Sequence, residues 1–116
     1  DILIHGDGSQ SRSFTWVEDV VTYLIKLAEL KAYGEIFNIG QTEEISIKEL
    51  AELIIEKSNS NSNIIFKSHE EIFGNSFEDP KRRTPGIEKI IEFTGIKPSK
   101  NIEFMIENII NHKQNN

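Results

Sequence analysis

The 116-residue sequence has no cysteine. Disulfide bonds, thiolate metal sites and a cysteine nucleophile are therefore excluded. The sequence also has no apolar run near the roughly 20 residues that a membrane-spanning helix needs. Its first residues show no signal-peptide pattern. We therefore expect a cytoplasmic protein that has no membrane partner.

The sequence has few positive charges: it contains 13 Lys and Arg and 19 Asp and Glu, which gives a formal net charge of −6. Non-specific nucleic-acid binding needs a broad positive surface, so nucleic acid is not an expected partner. The length and the 37% hydrophobic content suit one compact domain at residues 1–112. Residues 113–116 are expected to form a polar tail.

The hydrophobic pattern alternates between short strands and helices, which indicates an α/β fold. Strands are predicted at residues 2–5, 13–17, 35–40 and 64–66. About four amphipathic helices are predicted, with apolar faces that begin at Val17, Ile47, Ile87 and Ile102. The strands have too few partners for a sheet of their own, so we expect a part of a larger α/β protein.

Local patterns place the helix starts and the buried face of the first helix. Thr15 with Glu18 and Ser46 with Glu49 both fit capping boxes. Six apolar positions recur at helical spacing and are expected to face the core: Val17, Val20, Val21, Leu24, Leu27 and Ala28.

Arg12 is the first candidate for a binding residue. It follows the turn Gly6-Asp7-Gly8-Ser9, in which a glycine such as Gly8 lets the backbone approach a ligand closely. An arginine beside such a turn suits a pair of phosphate oxygens. A hairpin turn with a solvated Arg12 explains the same residues.

Three consecutive cations, Lys81-Arg82-Arg83, are the second candidate. They lie at the end of a long irregular segment, residues 69–85, just before a predicted helix. A phosphate near an arginine and a helix start is one interpretation. A surface ion-pair cluster with the neighbouring Glu78 and Asp79 is the other.

Four stretches carry a family resemblance over nearly the whole chain. They are GDGSQSRSFTWVEDVV from Gly6, GEIFNIGQTEEISIKELAELI from Gly34, EEIFGNSFEDPKRRTPGIEKI from Glu70 and TGIKPSKNIEFMIENII from Thr94. In order and spacing they resemble the C-terminal region of NAD-dependent epimerases and dehydratases, the extended short-chain dehydrogenase/reductases that act on nucleotide sugars. The resemblance implies a small substrate-binding lobe of that fold, without the N-terminal Rossmann domain.

The resemblance also implies roles for single residues. Arg12 and Arg83 match arginines that hold the diphosphate of the nucleotide sugar. Phe14 matches the aromatic position just beyond the first arginine, and Ile47 matches the apolar residue that packs near the nucleoside. Gly86 stands where the family motif Arg-x-Pro-Asp has its aspartate, so no carboxylate contact is expected there. The implied ligand is a UDP- or dTDP-sugar.

The family's catalytic motifs are missing from these residues. There is no glycine-rich cofactor loop and no Tyr-x-x-x-Lys pair; Tyr23 and Lys26 are one residue too close. We therefore expect no catalytic residue, no metal site and no NAD site in this chain, and NAD in a parent isomerase or lyase. The alternative is a stand-alone, non-catalytic module that binds a nucleotide sugar or a protein. In either case the surface left by a missing Rossmann domain is expected to favour self-association.

Overall fold

The structure is a computed structural model that describes residues 1–74 and 78–116. Within those residues the strands are β1 (Ile2–His5), β2 (Ser11–Ser13), β3 (Glu44–Ser46), β4 (Ile64–Lys67) and β5 (Arg82–Arg83). The helices are α1 (Val17–Glu29), α2 (Ile47–Ser58), α3 (His69–Phe73), α4 (Glu88–Thr94) and α5 (Ile102–Gln114). The predicted α/β character is confirmed, with α3 as a fifth helix inside the segment predicted to be irregular.

The chain forms two compact units. Unit 1 consists of Asp1–Arg12, Ile45–Arg83 and Ile106–Asn116, and unit 2 of Ser13–Glu44 and Thr84–Met105. Helix α5 runs through Gln114, so part of the expected polar tail is helical. None of the described helices is long and apolar enough to cross a bilayer.

Unit 1 is built on parallel strand pairing. β1 pairs with β4 in parallel, from Ile2 opposite Ile64 to His5 opposite Lys67. Strand β2 lies between β3 and β5 in a separate sheet. Ile4 of β1 and Ala51 of α2 are buried.

The start of α2 has the predicted capping box. The Ser46 hydroxyl accepts a hydrogen bond from the Glu49 backbone N–H at 3.1 Å, and the Glu49 carboxylate accepts one from the Ser46 N–H at 3.0 Å. This reciprocal pair fixes the first residue of α2 and therefore the position of Ile47.

Unit 2 packs α1 against α4 around Tyr23. Tyr23 and Ile90 are 0% exposed and form the buried cluster with Ile87. The Tyr23 hydroxyl donates to the Ile96 carbonyl at 2.9 Å. Tyr23 is therefore a packing residue whose hydroxyl is satisfied inside unit 2.

The Asp19 carboxylate ties the start of α1 to the loop before α5. It accepts hydrogen bonds from the Ser99 backbone N–H at 2.9 Å and from the Ser99 hydroxyl at 2.5 Å. Asp19 is buried, and burial of a carboxylate is tolerated because these donors satisfy it. Asp19, which belongs to the family-like stretch that begins at Gly6, therefore has a structural role.

Three local predictions in unit 2 are wrong. The strand expected at residues 13–17 is present only at Ser13, the last residue of β2. Trp16 precedes α1 as its N-cap and makes no side-chain cap, because Glu18 accepts from the Trp16 indole at 3.2 Å instead of completing a box with Thr15. Residues 35–40 form no strand. Phe37 and Ile39 do pack on the Tyr23 cluster, but no ladder with another described strand forms along the segment.

The predicted core face of α1 is only partly buried. Tyr23 is fully enclosed and Leu27 packs beside it, whereas Val17, Val21 and Leu24 are exposed. The apolar arc of α1 is wider than the surface that α4 covers. Four of the six positions expected to face the core are therefore at the surface of unit 2: Val17, Val21, Leu24 and Ala28.

Candidate functional site

The glycine-rich turn is held tightly against the rest of unit 1. The Asp7 carboxylate accepts hydrogen bonds from the backbone N–H of Ser9 at 2.9 Å and from its hydroxyl at 2.6 Å, and these bonds lower the pKa of Asp7. Gly8 has φ +77°, and a Cβ on it would lie 2.9 Å from Cβ of Lys48 and 3.1 Å from the Phe66 ring. Glycine is required at position 8 by its conformation and by the lack of space.

The turn also occupies the first N–H groups of α2. The Gly8 carbonyl accepts from the Lys48 N–H at 3.0 Å, and the Gln10 carbonyl accepts from the Ile47 N–H at 3.0 Å. Ser46 satisfies the third N–H. The helix start therefore has no donors left for an anion, and phosphate binding has to rely on side chains.

Arg12 and Arg83 are brought together by strand pairing. β2 and β5 run parallel, with Ser11 opposite Arg82 and Arg12 opposite Arg83. Opposite residues of neighbouring strands project from the same face of a sheet, and consecutive residues alternate. The hairpin interpretation of the turn is wrong, because β1 and β2 belong to different sheets.

The Arg12 side chain is oriented by two contacts. Its Nη2 lies 2.7 Å from Oδ1 of Asp79, and its Nη1 donates to the Ser11 carbonyl at 2.7 Å. The side chains of Arg12 and Asp79 are 19% and 21% exposed, whereas Arg83 is exposed. The sequence suggested that Asp79 could pair with the neighbouring cations at residues 81–83. Its partner in the structure is Arg12, which lies 67 residues away and could not be identified from local sequence.

Arg12 and Ile47 line one open cavity in unit 1, of about 340 Å³, together with Asp79. The remaining lining residues are Leu3, Ile4, His5, Gln10, His69 and Phe73. Arg83, Gly8 and Phe14 are not among the residues that line it. The cavity combines an apolar wall with one arginine, which suits a ligand that has both a ring and a phosphate.

A second, larger cavity of about 740 Å³ in the same unit also has Asp79 in its lining. Three lysines from three different segments line it: Lys48, Lys67 and Lys81. Asp79, Gln10 and His69 line both cavities. The cation at position 81, grouped by sequence with Arg83, therefore borders the larger cavity.

Two histidines that are 64 residues apart in the sequence, His5 and His69, contact the same aromatic ring. The His5 and His69 rings both contact the Phe73 ring, with centroids 5.4 Å and 6.3 Å away. They contribute to the wall of the smaller cavity. Among the described residues, no group of three or more His, Asp or Glu side chains could hold a metal ion.

The remaining predicted site residues lie in unit 2. Phe14 is half-buried. Gly86 precedes Ile87, the N-cap of α4, which has no side-chain cap, and a Cβ on Gly86 would lie 3.2 Å from a Glu88 carboxylate oxygen. The Glu88 carboxylate therefore lies close to the position that an aspartate side chain would take at residue 86. Pro85 packs so closely on Gly40 that a Cβ on residue 40 would overlap the proline ring.

Comparison with known proteins identifies the relatives of this chain. Residues 1–40 match the sequence model of the NAD dependent epimerase/dehydratase family. The chain belongs to this family. A UDP-N-acetyl-alpha-D-glucosaminuronate decarboxylase of Bacillus cytotoxicus is 37% identical over 99 residues, which cover 85% of this chain and 31% of that protein. UDP-glucuronic acid decarboxylase 2 of Arabidopsis thaliana is 37% identical over 97 residues, 84% of this chain and 20% of that protein.

Solved structures share the fold. A UDP-glucuronic acid 4-epimerase of Bacillus cereus, in complex with UDP-glucuronic acid and NAD, superposes with a TM-score of 0.82 at 25% identity, over 98% of this chain and 35% of that chain. An epimerase of Methanothermobacter thermautotrophicus has a TM-score of 0.87 at 24% identity, over 98% and 33%. The chain thus spans about a third of the length of these proteins.

The described residues do not fit NAD. A dinucleotide-binding turn leads from a strand into a helix whose first N–H groups face the pyrophosphate. Here the glycine-rich turn leads from β1 to β2, and the carbonyls of Gly8 and Gln10 occupy the N–H groups of α2. We therefore assign this turn and the start of α2 no part in binding the cofactor.

Proposed function

We propose that this chain is the C-terminal substrate-binding lobe of an NAD-dependent nucleotide-sugar enzyme, and that unit 1 holds the nucleoside diphosphate. The observation that carries the proposal is the register that sets Arg12 opposite Arg83 on neighbouring strands. A diphosphate carries at least two negative charges, and two guanidinium groups on one face can bind both phosphates through charge-assisted hydrogen bonds.

The smaller cavity supports a position for the rest of the nucleotide. Arg12 is at its wall, and Leu3, Ile4 and Ile47 supply apolar surface for a ring. We propose that the ligand is a UDP-sugar whose sugar carries a carboxylate, since the two decarboxylase relatives are named for UDP-sugars of this kind. Energy from binding the diphosphate would hold the sugar in place for reaction elsewhere.

In this proposal the redox step belongs to a part of the enzyme outside the chain. The exposed apolar face of α1, with Val17, Val21 and Leu24, would pack against that nucleotide-binding domain. Residues 35–40 would supply a strand to the sheet of that domain. This would explain why the sequence predicts a strand at a segment that pairs with no described strand of this chain. The whole enzyme would transiently oxidise a sugar hydroxyl with NAD and return the hydride.

Isothermal titration calorimetry with UDP and dTDP tests the binding proposal. We expect weak binding of UDP, and a loss of about tenfold in affinity for Arg12→Ala and for Arg83→Ala. Arg82→Ala is the matched control, because it removes the same charge from the adjacent residue on the opposite face of β5. Its affinity is expected to stay within about twofold of wild type.

Two results would contradict the proposal. Equal affinities for wild type, Arg12→Ala and Arg83→Ala would remove the arginine pair from the site. An equal loss in Arg82→Ala would show that only the net charge of the loop matters. Thermal melts of each variant confirm that the compared proteins are folded.

A further inference from the structure

The anion position of Arg12 is filled by the protein itself. Oδ1 of Asp79 lies 2.7 Å from Nη2 of Arg12, and each side chain is about one-fifth exposed (19% and 21%). A phosphate oxygen bound by charge-assisted hydrogen bonds sits at the same distance from a guanidinium as this carboxylate. Ligand and Asp79 therefore compete for the same donor.

The other contact of Arg12 does not change on competition. Nη1 donates to the Ser11 carbonyl, which belongs to the backbone of the same strand. This bond holds one terminal nitrogen of the guanidinium, and Asp79 holds the other. The carboxylate is thus the partner that a ligand can replace.

Asp79 also borders a second cavity that lysines line. It lines the larger cavity as well as the smaller one, and the larger cavity is bordered by Lys48, Lys67 and Lys81. A carboxylate that leaves Arg12 stays at the edge of this cavity, where it is open to water and shares the lining with three lysines. Its displacement does not leave a buried charge unpaired, which would otherwise be prohibitive.

We propose that Asp79 is a displaceable counterion of the diphosphate site. It holds the Arg12 guanidinium in the empty site and gives up that position to a phosphate of the nucleotide, so that it lowers affinity while it positions the arginine. Asp79 is a positioning residue and not a catalytic one. The inference rests on the proposed diphosphate function of Arg12.

Calorimetric titration of the whole chain with UDP tests this role in Asp79→Asn, which keeps the shape and removes the charge. We expect UDP to bind Asp79→Asn roughly tenfold more tightly than wild type, because a charged competitor is lost. Asp79→Glu retains the charge and is expected to restore wild-type affinity. Glu78→Gln, the same charge change one residue away on an exposed side chain, is expected to shift affinity by no more than about twofold.

Thermal unfolding without ligand separates this role from a merely structural one. Asp79→Asn is expected to melt at a lower temperature than wild type while it binds UDP more tightly, so that stability and affinity move in opposite directions. Weaker or unchanged UDP binding in Asp79→Asn would overturn the inference and leave the proposed function standing. Binding of UDP to neither protein would overturn the proposed function and this inference with it.

Discussion

Arg12 and Arg83 lie opposite each other on two neighbouring parallel strands, β2 and β5. Their side chains project from the same face of the sheet, and Asp79 neutralises only Arg12 among the contacts of the described residues. A face with two guanidinium groups attracts a polyanion, and this attraction is screened by salt.

The affinity for UDP should therefore fall as salt rises. Between about 50 and 300 mM NaCl we expect a loss of several-fold, because the Debye length shrinks from about 14 Å to about 6 Å over that range. Calorimetry at a series of salt concentrations measures the slope. Arg83→Gln is expected to show a shallower slope than wild type. A slope that is flat in wild type, or equal in both proteins, would contradict an arginine pair at the site.

Gly8 is expected to be the least replaceable glycine of the turn. Gly8→Ala introduces a strained positive φ and places Cβ 2.9 Å from Cβ of Lys48. We expect the free energy of unfolding to fall by about 2 to 4 kcal/mol, the sum of strain and overpacking. Urea unfolding followed by circular dichroism measures the change.

Gly34→Ala separates the two causes. Gly34 has nearly the same conformation, φ +73°, but no atom lies within 4 Å of the position that a Cβ would take there. The strain alone is expected to cost about 1 kcal/mol. Equal losses in the two variants would show that the contact of Gly8 with α2 contributes nothing.

Local sequence predicted the elements that depend on local physics. The Ser46–Glu49 capping box and the strand at residues 2–5 were predicted from neighbouring residues, and both are present. The end of α4 at Gly95 has an equally local cause. Gly95 adopts φ +71°, the left-handed conformation that ends a helix.

Features that depend on distant partners were not predictable in this way. The pairing of Arg12 with Asp79 and the burial of Asp19 against Ser99 span 67 and 80 residues. The resemblance pointed to Arg12 and Arg83, but only the register of β2 and β5 shows that they are neighbours. The face of α1 was misjudged because periodicity reports which side is apolar and not what covers it.

Tyr23 should contribute to stability through its hydroxyl as well as its ring. Tyr23→Phe keeps the ring in the cluster with Ile87 and Ile90 but leaves the buried Ile96 carbonyl without this donor. We expect the free energy of unfolding to fall by about 1 to 2 kcal/mol. Tyr33→Phe, at an exposed tyrosine, is the matched control and should change stability little.

The same hydroxyl should make stability depend on alkaline pH. Burial, followed by the nearby Asp19 carboxylate, raises the pKa of Tyr23 above its usual 10.0. The folded state therefore keeps the proton more tightly than the unfolded state, so the stabilisation is complete below about pH 10 and is lost as pH rises through the folded pKa. Urea unfolding between about pH 8 and pH 11 should show a fall in wild type that is smaller in Tyr23→Phe. Parallel curves for the two proteins would rule out this contribution.

The exposed face of α1 should drive self-association of the isolated chain. Val17, Val21 and Leu24 lie along one side of the helix and are 63%, 49% and 55% exposed. Contiguous apolar surface of this kind is covered in most soluble proteins. We expect sedimentation velocity to show a concentration-dependent dimer or larger species for wild type and a shift toward monomer for Leu24→Lys. Thr22→Lys places the same charge on a different side of α1 and should leave the distribution unchanged. A wild-type chain that stays monomeric at high concentration, or an equal effect of both lysines, would contradict a specific apolar contact through this face.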